Sequence, residues 1–177
     1  ACMRGTFGIS TGLLLSGCKD PDPQGQGPSS QPGGAAGEEG GAARLAVSPR
    51  HVKALAAFNR GGGLMEQYKY AEAVKAFESV VQAAPDWSAA QFNLGLAYFN
   101  MHGQARARQS LARSREIFEA VLKAQPGHLH ARFCLGLYHQ HLGEMDEALE
   151  HFRAVHEGDP GDPHVAYKYA EALLALD

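Results

Sequence analysis

Cysteine is scarce in this sequence: Cys2, Cys18 and Cys134 are the only three in 177 residues. They are too few and too scattered for a disulfide framework or a zinc knuckle. No run of 18 apolar residues exists, so no segment reads as a membrane-spanning helix. Neither sign of charge dominates. The net charge of −3 leaves no broad basic surface for nucleic acid. The motifs of catalysis are missing as well. Gly61, Gly62 and Gly63 are not followed by the Lys-Ser/Thr pair of a phosphate loop. The one G-x-S-x-G string, Gly8 to Gly12, has no strand pattern before it as a nucleophile elbow requires, and there is no Cys-x-x-Cys and no His-Glu-x-x-His. These absences exclude no fold, but they give an enzyme nothing to work with. The expectation is a non-catalytic chain with no cofactor, no metal and no small-molecule substrate.

What is present divides into three parts. Residues 1–18 read ACMRGTFGISTGLLLSGC. Arg4 precedes a short apolar stretch, which ends in Leu15-Ser16-Gly17-Cys18. This resembles the bacterial lipoprotein signal, which implies that Cys18 receives the lipid and becomes the new N-terminus. Small residues before the cysteine suit an extended backbone in a peptidase cleft, and several acyl chains make a stable anchor. The chain is then expected in the bacterial cell envelope, with its domain in the periplasm or on the surface. An ordinary export signal with a chance cysteine, or a plain disordered tail, is the alternative. Residues 19–47 follow, with four prolines and seven glycines and only Leu45 and Val47 as large aliphatics. Such a segment cannot bury enough apolar surface to offset its entropy, and it reads as a disordered linker.

Residues 48–177 carry the periodic pattern. Ser48-Pro49 is a cap and first-turn pair. Helical stripes then recur, broken at Pro85, at His102-Gly103, before Pro126, at Leu142-Gly143, and at Gly158-Asp159-Pro160. Asp86 and Asp162 are the expected caps of the helices that follow them. The three glycines at 61–63 make the first helix the least secure, at a propensity cost of about 2–3 kcal/mol relative to alanines. Gly61 to Pro85 and Gly136 to Pro160 have the same spacing, and Gly95 to Pro126 is longer by about two helical turns. The longer unit predicts an extended helix over 104–124.

Leu94, Gly95, Tyr98, Phe118 and Pro126 match one pattern; Leu135, Gly136, Ala148, Phe152 and Pro160 match it again. Gly61, Ala73, Phe77 and Pro85 match it a third time. The pattern resembles the tetratricopeptide repeat. The resemblance implies an all-α fold, a right-handed superhelical α-solenoid of antiparallel helix pairs, with about three and a half repeats. These would be 54–87, 88–128, 129–162 and a partial 163–177. The tryptophan usual in that repeat is absent at its offset, where Ala57, Gln91 and Arg132 stand.

The family resemblance implies a concave groove lined by the first helix of each repeat, binding a peptide or protein. Phe58, Phe92, Phe133 and Tyr167 share one register position, with Asn59, Asn93 and Lys168 next to them. Leu96, Leu137, His130 and His164 complete the expected groove. A ladder of four aromatics could hold a peptide by apolar contact; the other reading buries these rings between repeats. Some family members clamp a terminal carboxylate with Lys, Asn and Arg, and here that set is incomplete. Of the nine histidines, His128, His130, His139, His141, His151 and His156 crowd the third unit, and His164 follows. His139 and His141, like His128 and His130, point about 200° apart on a helix, which disfavours a metal site. His130 and His164 could make the groove pH-sensitive. Arg106 and Arg113 share one helix face and Arg108 and Arg115 another, solvated or turned to anionic headgroups or an acidic partner. The function implied is a membrane-tethered interaction scaffold. The alternative is the N-terminal repeat region of a larger exported protein.

Overall fold

The computed structural model describes residues 49–101 and 107–176. The lipoprotein-like segment with Cys18, the linker, the Ser48 cap and Arg106 lie outside the described residues. Among those described, seven helices follow in order. They are α1 Pro49–Glu66, α2 Tyr70–Ala83, α3 Ser88–Asn100, α4 Ala107–Ala124, α5 Leu129–Leu142, α6 Met145–Gly158 and α7 Pro163–Leu174.

Each helix packs on its neighbours in sequence, and α3 also touches α1 and α5. The result is a stack of helix pairs: α1 with α2, α3 with α4, α5 with α6, then α7. We call the first member of each pair A and the second B, and count register positions from 54, 88, 129 and 163. The B helices are amphipathic. On α2 the buried side chains are Tyr70, Ala73, Val74, Phe77 and Val80, a single helical stripe. The inner A helices are enclosed almost all round, with nearly every residue from Phe92 to Asn100 and from Phe133 to Tyr138 buried.

Close approach within a pair depends on glycine at position 8. A Cβ added at Gly61, Gly95 or Gly136 would stand 2.6, 2.7 or 2.5 Å from the ring of Phe77, Phe118 or Phe152. Those three phenylalanines are fully buried; each is worth about 2–3 kcal/mol of burial. The glycines therefore hold helices together, and α1 runs unbroken through all three of its own. Tertiary packing outweighs propensity there.

The corners between repeats are built alike. Ala84, Gln125 and Asp159, each directly before a proline, donate back to Val80, Val121 and Val155 at 2.8 Å. Pro85 and Pro126 then turn the chain, and Trp87 N–H and His128 N–H bond to Ala84 and Gln125 carbonyls. Gln91 and Arg132, at the offset of the missing tryptophan, donate side-chain bonds to the Pro85 and Pro126 carbonyls at 2.5 and 3.0 Å. A polar tie to the corner stands where the repeat ordinarily packs an indole.

One of the expected helix caps is not formed. Asp86 does not cap α3; Trp87 is the N-cap residue, with no side-chain capping bond. His128 caps α5 instead, its Nδ1 accepting from Ala131 N–H at 3.1 Å. The described part of α4, Ala107–Ala124, is 18 residues long against 14 for α2 and α6, and residues 104–106 of the expected 104–124 helix lie outside the described residues. Asp162 does cap α7, accepting from His164 and Val165 N–H groups. Gly143, at φ 80°, ends α5, and Tyr68 holds the same turn position in the first repeat at φ 59°.

Candidate functional site

The face to consider is the one offered by the A helices. The four rings at position 5 share a register, but they do not share an environment. Phe58 lies 5.7 Å from Phe77 of its own B helix and stacks at 4.6 Å on Trp87, the N-cap residue of α3. Phe92 lies 5.9 Å from Phe118 and 5.1 Å from His128. Phe133 lies 5.5 Å from both Phe152 and His164. One rule covers all three: the ring rests on its own B-helix phenylalanine and is covered by a ring at the start of the following A helix.

As a result Phe92 and Phe133 are only 6% and 4% exposed, whereas Tyr167 is 62% exposed. The two inner rings are spacers between repeats, and the apolar ladder is not open along its length. Leu96, Leu137 and Asn93 are buried too. Asn93 uses its amide on its own helix, donating to the Ala89 carbonyl at 2.8 Å. The side chains left exposed are Asn59, His164 and Tyr167, with Phe58, His130 and Lys168 half-buried. Leu55, one turn before Phe58 and Asn59, is exposed as well.

At the C-terminal end of this face the charges close on each other. Lys168 Nζ bonds Glu171 at 2.7 Å and Gln140 Oε1 at 3.2 Å, while Gln140 donates to Glu171 at 3.1 Å. The Lys168 bond, aided by Gln140, holds the Glu171 carboxyl below its usual value against a desolvation that pushes it up. Lys168 also lies 5.8 Å over the Tyr167 ring. A terminal carboxylate would have to compete with Glu171 for this cation.

The histidines divide by partner. His130 sits 6.2 Å from His128 and 6.3 Å from Phe92. Burial, and then the neighbouring His130, lower the pKa of His128. His139, at the position of the usual interior tyrosine, bonds Glu144 at 2.7 Å and stacks on His151 at 5.3 Å. Burial and His139 lower the His151 pKa. His156 stacks on Tyr169, and its Nδ1 is buried with no hydrogen-bond partner among the described residues. The rings thus serve caps, stacks and inter-helix contacts. Among the described residues no group of three His, Cys, Asp or Glu could hold a metal ion.

The basic face on α4 is largely compensated. Arg113 pairs with Glu116 at 2.6 Å and Arg115 with Glu119 at 3.4 Å, within one helix and exposed. Such pairs contribute little to stability, but each sets a carboxylate beside its arginine. No helix among the described residues is long and apolar enough to cross a membrane.

The stacked helix pairs, the glycine–phenylalanine contacts and the proline corners define an α-solenoid of repeated helical hairpins. The tetratricopeptide repeat model matches residues 58–104 and 100–163, well over half of the sequence. The chain belongs to the tetratricopeptide repeat family. Its fold is similar to that of the first tetratricopeptide domain of Spaghetti (RPAP3) bound to the HSP90 peptide SRMEEVD. The TM-score is 0.62 at 21% identity, covering 71% of this chain and 94% of that one. The second such domain of human RPAP3, in complex with the HSP70 peptide SGPTIEEVD, gives 0.59 at 18% identity, covering 70% and 97%. The Arabidopsis OM64 domain gives 0.61 at 10% identity, covering 70% and 96%. At these identities the likeness is one of fold. A comparison with curated proteins returns no significant match.

Proposed function

We propose that this chain is a protein-interaction scaffold whose A-helix face holds a peptide or protein segment. The observation that carries the reading is the set of A-helix side chains that stay accessible: Asn59, His164 and Tyr167 exposed, and His130, at the same register position as His164, half-buried. The solved neighbours that hold HSP90 and HSP70 peptides support a binding role for the fold. Their peptides end in acidic residues. On this chain the Lys168 ammonium is engaged by Glu171 and Asn93 by its own backbone. The partner that suits the face is therefore weakly charged, with apolar side chains for Leu55, Phe58 and Tyr167.

We further propose that the domain is tethered to a bacterial membrane through lipid on Cys18. The reading is supported by the Leu15-Ser16-Gly17-Cys18 box and by the glycine- and proline-rich segment after it.

Phe92 and Phe133 are poor probes of the face, because truncating a buried phenylalanine costs about 3–5 kcal/mol of stability. The variants to use are Asn59→Asp, His130→Glu and His164→Glu. Peptides are selected from a random display library on the full chain and measured by fluorescence of Trp87, the only tryptophan, which stacks on Phe58 at the edge of the face. The three substitutions together should weaken binding at least about tenfold with unchanged helicity; each tenfold step is about 1.4 kcal/mol. Peptides that bind the triple variant equally well would move the site elsewhere. For the tether, mass spectrometry of the mature N-terminus from bacterial expression should find an acylated Cys18. An unprocessed Ala1 refutes it.

A further inference from the structure

The three corners carry different residues at one register position, the N-cap of the following A helix. Trp87 offers a ring and no capping bond. Asp162 offers a carboxylate, which accepts from His164 and Val165 N–H groups. His128 does both jobs. Its ring lies 5.1 Å from Phe92 of α3, and its Nδ1 accepts from Ala131 N–H at 3.1 Å.

That bond fixes the form of the ring. A backbone N–H can only donate, so Nδ1 carries a lone pair and the proton of the neutral imidazole sits on Nε2. Protonation fills Nδ1 and abolishes the cap. It also sets a cation at the N-terminal end of a helix, where the dipole opposes it. Amides in the first turn have no intrahelical carbonyl to bond, so nothing within α5 replaces the acceptor that Ala131 loses. The aspartate cap of α7 has no such weakness, because a carboxylate stays charged down to about pH 4.

The surroundings do not offset a charge on His128. On α5 its neighbours are His130, 6.2 Å away, and Arg132, which is tied to the Pro126 carbonyl. Helix α3 presents the neutral Phe92, with Asp86 exposed ahead of its first turn. Helix α4 ends in the exposed Lys123, and Gln125 after it accepts from Ser88 Oγ of α3. Burial, and then His130, push the His128 pKa below 6.5, against a smaller opposing contact with its own backbone. No carboxylate is among the groups that shift it. With the folded value lowered, the cap is fully present above pH 6.5 and is lost as pH falls through that value toward the folded pKa.

The turn held by this cap carries His130, whose ring lies 6.3 Å from Phe92. We propose that His128 is an acid-released latch: its neutral ring caps α5 and covers Phe92, and its protonation frees the first turn of α5 and weakens the hold of the A-helix face on its partner. The effect on the partner rests on the binding role proposed above; the latch itself does not.

Hydrogen exchange of the full chain at the Ala131 amide tests the latch, with protection taken relative to the intrinsic rate at each pH. From about pH 7.5 to about 5.5, a range spanning the ordinary histidine value, protection should fall about fivefold, the worth of a typical cap. His128→Asn keeps a capping acceptor with no proton to gain, and its Ala131 protection should stay level. Every other histidine is the same in both chains, so the difference isolates the cap. Binding is then read with selected peptides that lack titratable side chains. Over the same range the unsubstituted chain should lose about fivefold more affinity than His128→Asn. If His128→Asn loses helicity, His128→Asp, which copies the cap of α7, reads the same contrast. An equal fall in Ala131 protection in both chains overturns the latch. So does an Nδ1–H tautomer of His128 at about pH 7.5 in the NMR shifts of its ring nitrogens. Affinities that fall alike in the two chains overturn its control of binding. If no peptide binds at either pH, the binding role fails, and exchange at Ala131 still decides the latch.

Discussion

At the scale of single residues, position 8 carries the strongest constraint. Gly62 follows Gly61 in the chain, and both lie in α1. An added Cβ at Gly61 would meet Phe77, while one at Gly62 meets nothing within 4 Å. The two neighbours should therefore respond oppositely to alanine. Gly62→Ala gains helix propensity with no steric cost and should stabilise the fold by about 0.5–1 kcal/mol. Gly136→Ala gains the same propensity but drives a methyl to 2.5 Å from Phe152, and overpacking of that kind costs about 1–3 kcal/mol. Urea unfolding of the two variants checks both signs. The need for glycine at 61, 95 and 136 was legible from spacing alone, because the same small residue recurs in phase with a phenylalanine. That Gly62 and Gly63 are free of any such need was not, since three adjacent glycines look alike in a sequence.

Between elements, the α5–α6 pair is the place where pH acts. His151 of α6 is stacked on His139 of α5. Burial first, then the fields of His139 and Arg132, lower its pKa, against a smaller opposing effect of Glu150. Its folded value lies below the 6.5 of an unhindered histidine. The unfolded chain therefore takes up a proton at a higher pH than the folded chain does. Stability from this pair is fully present above pH 6.5 and is lost as pH falls through that value toward the folded pKa. His128, lowered by burial and by His130, acts in the same window and with the same sign. The melting temperature should fall between pH 7.5 and 5.5, and His151→Phe should make the fall shallower. A variant with an unchanged slope would remove His151 from the account. The crowding of histidines was plain in the sequence. Their pairing was not, because His139 and His151 come together only when α6 folds back on α5.

For the whole molecule, contacts run between neighbours along the stack, so stability should vary along it. Helices α3 to α6 are packed on both sides, and α7 on one. Hydrogen exchange at low micromolar concentration should show the fastest amides of the described helices in α7. Amides of α3 and α5, at Leu96 and Leu135 for example, should exchange only near global unfolding. Equal protection in α7 and α5 under these conditions would contradict a half-covered end helix. The same layout explains why the surface of the A helices is narrower than the register suggests. Four aromatic rings stand in phase, but three have a B-helix phenylalanine below and a ring from the next repeat above.

The sequence by itself determined the helical hairpins, their register and their number, because spacing is a one-dimensional property. Small residue, phenylalanine and proline at fixed offsets dictate which helix pairs with which and where the chain turns. It also marked the chain as poor in catalytic motifs. The tertiary structure alone decided which side chains remain at the surface. Phe92 and Tyr167 hold the same register position, yet one is enclosed and the other bare. The difference lies in whether a B helix and a following repeat are there to cover the ring, and burial depends on neighbours that are distant in sequence.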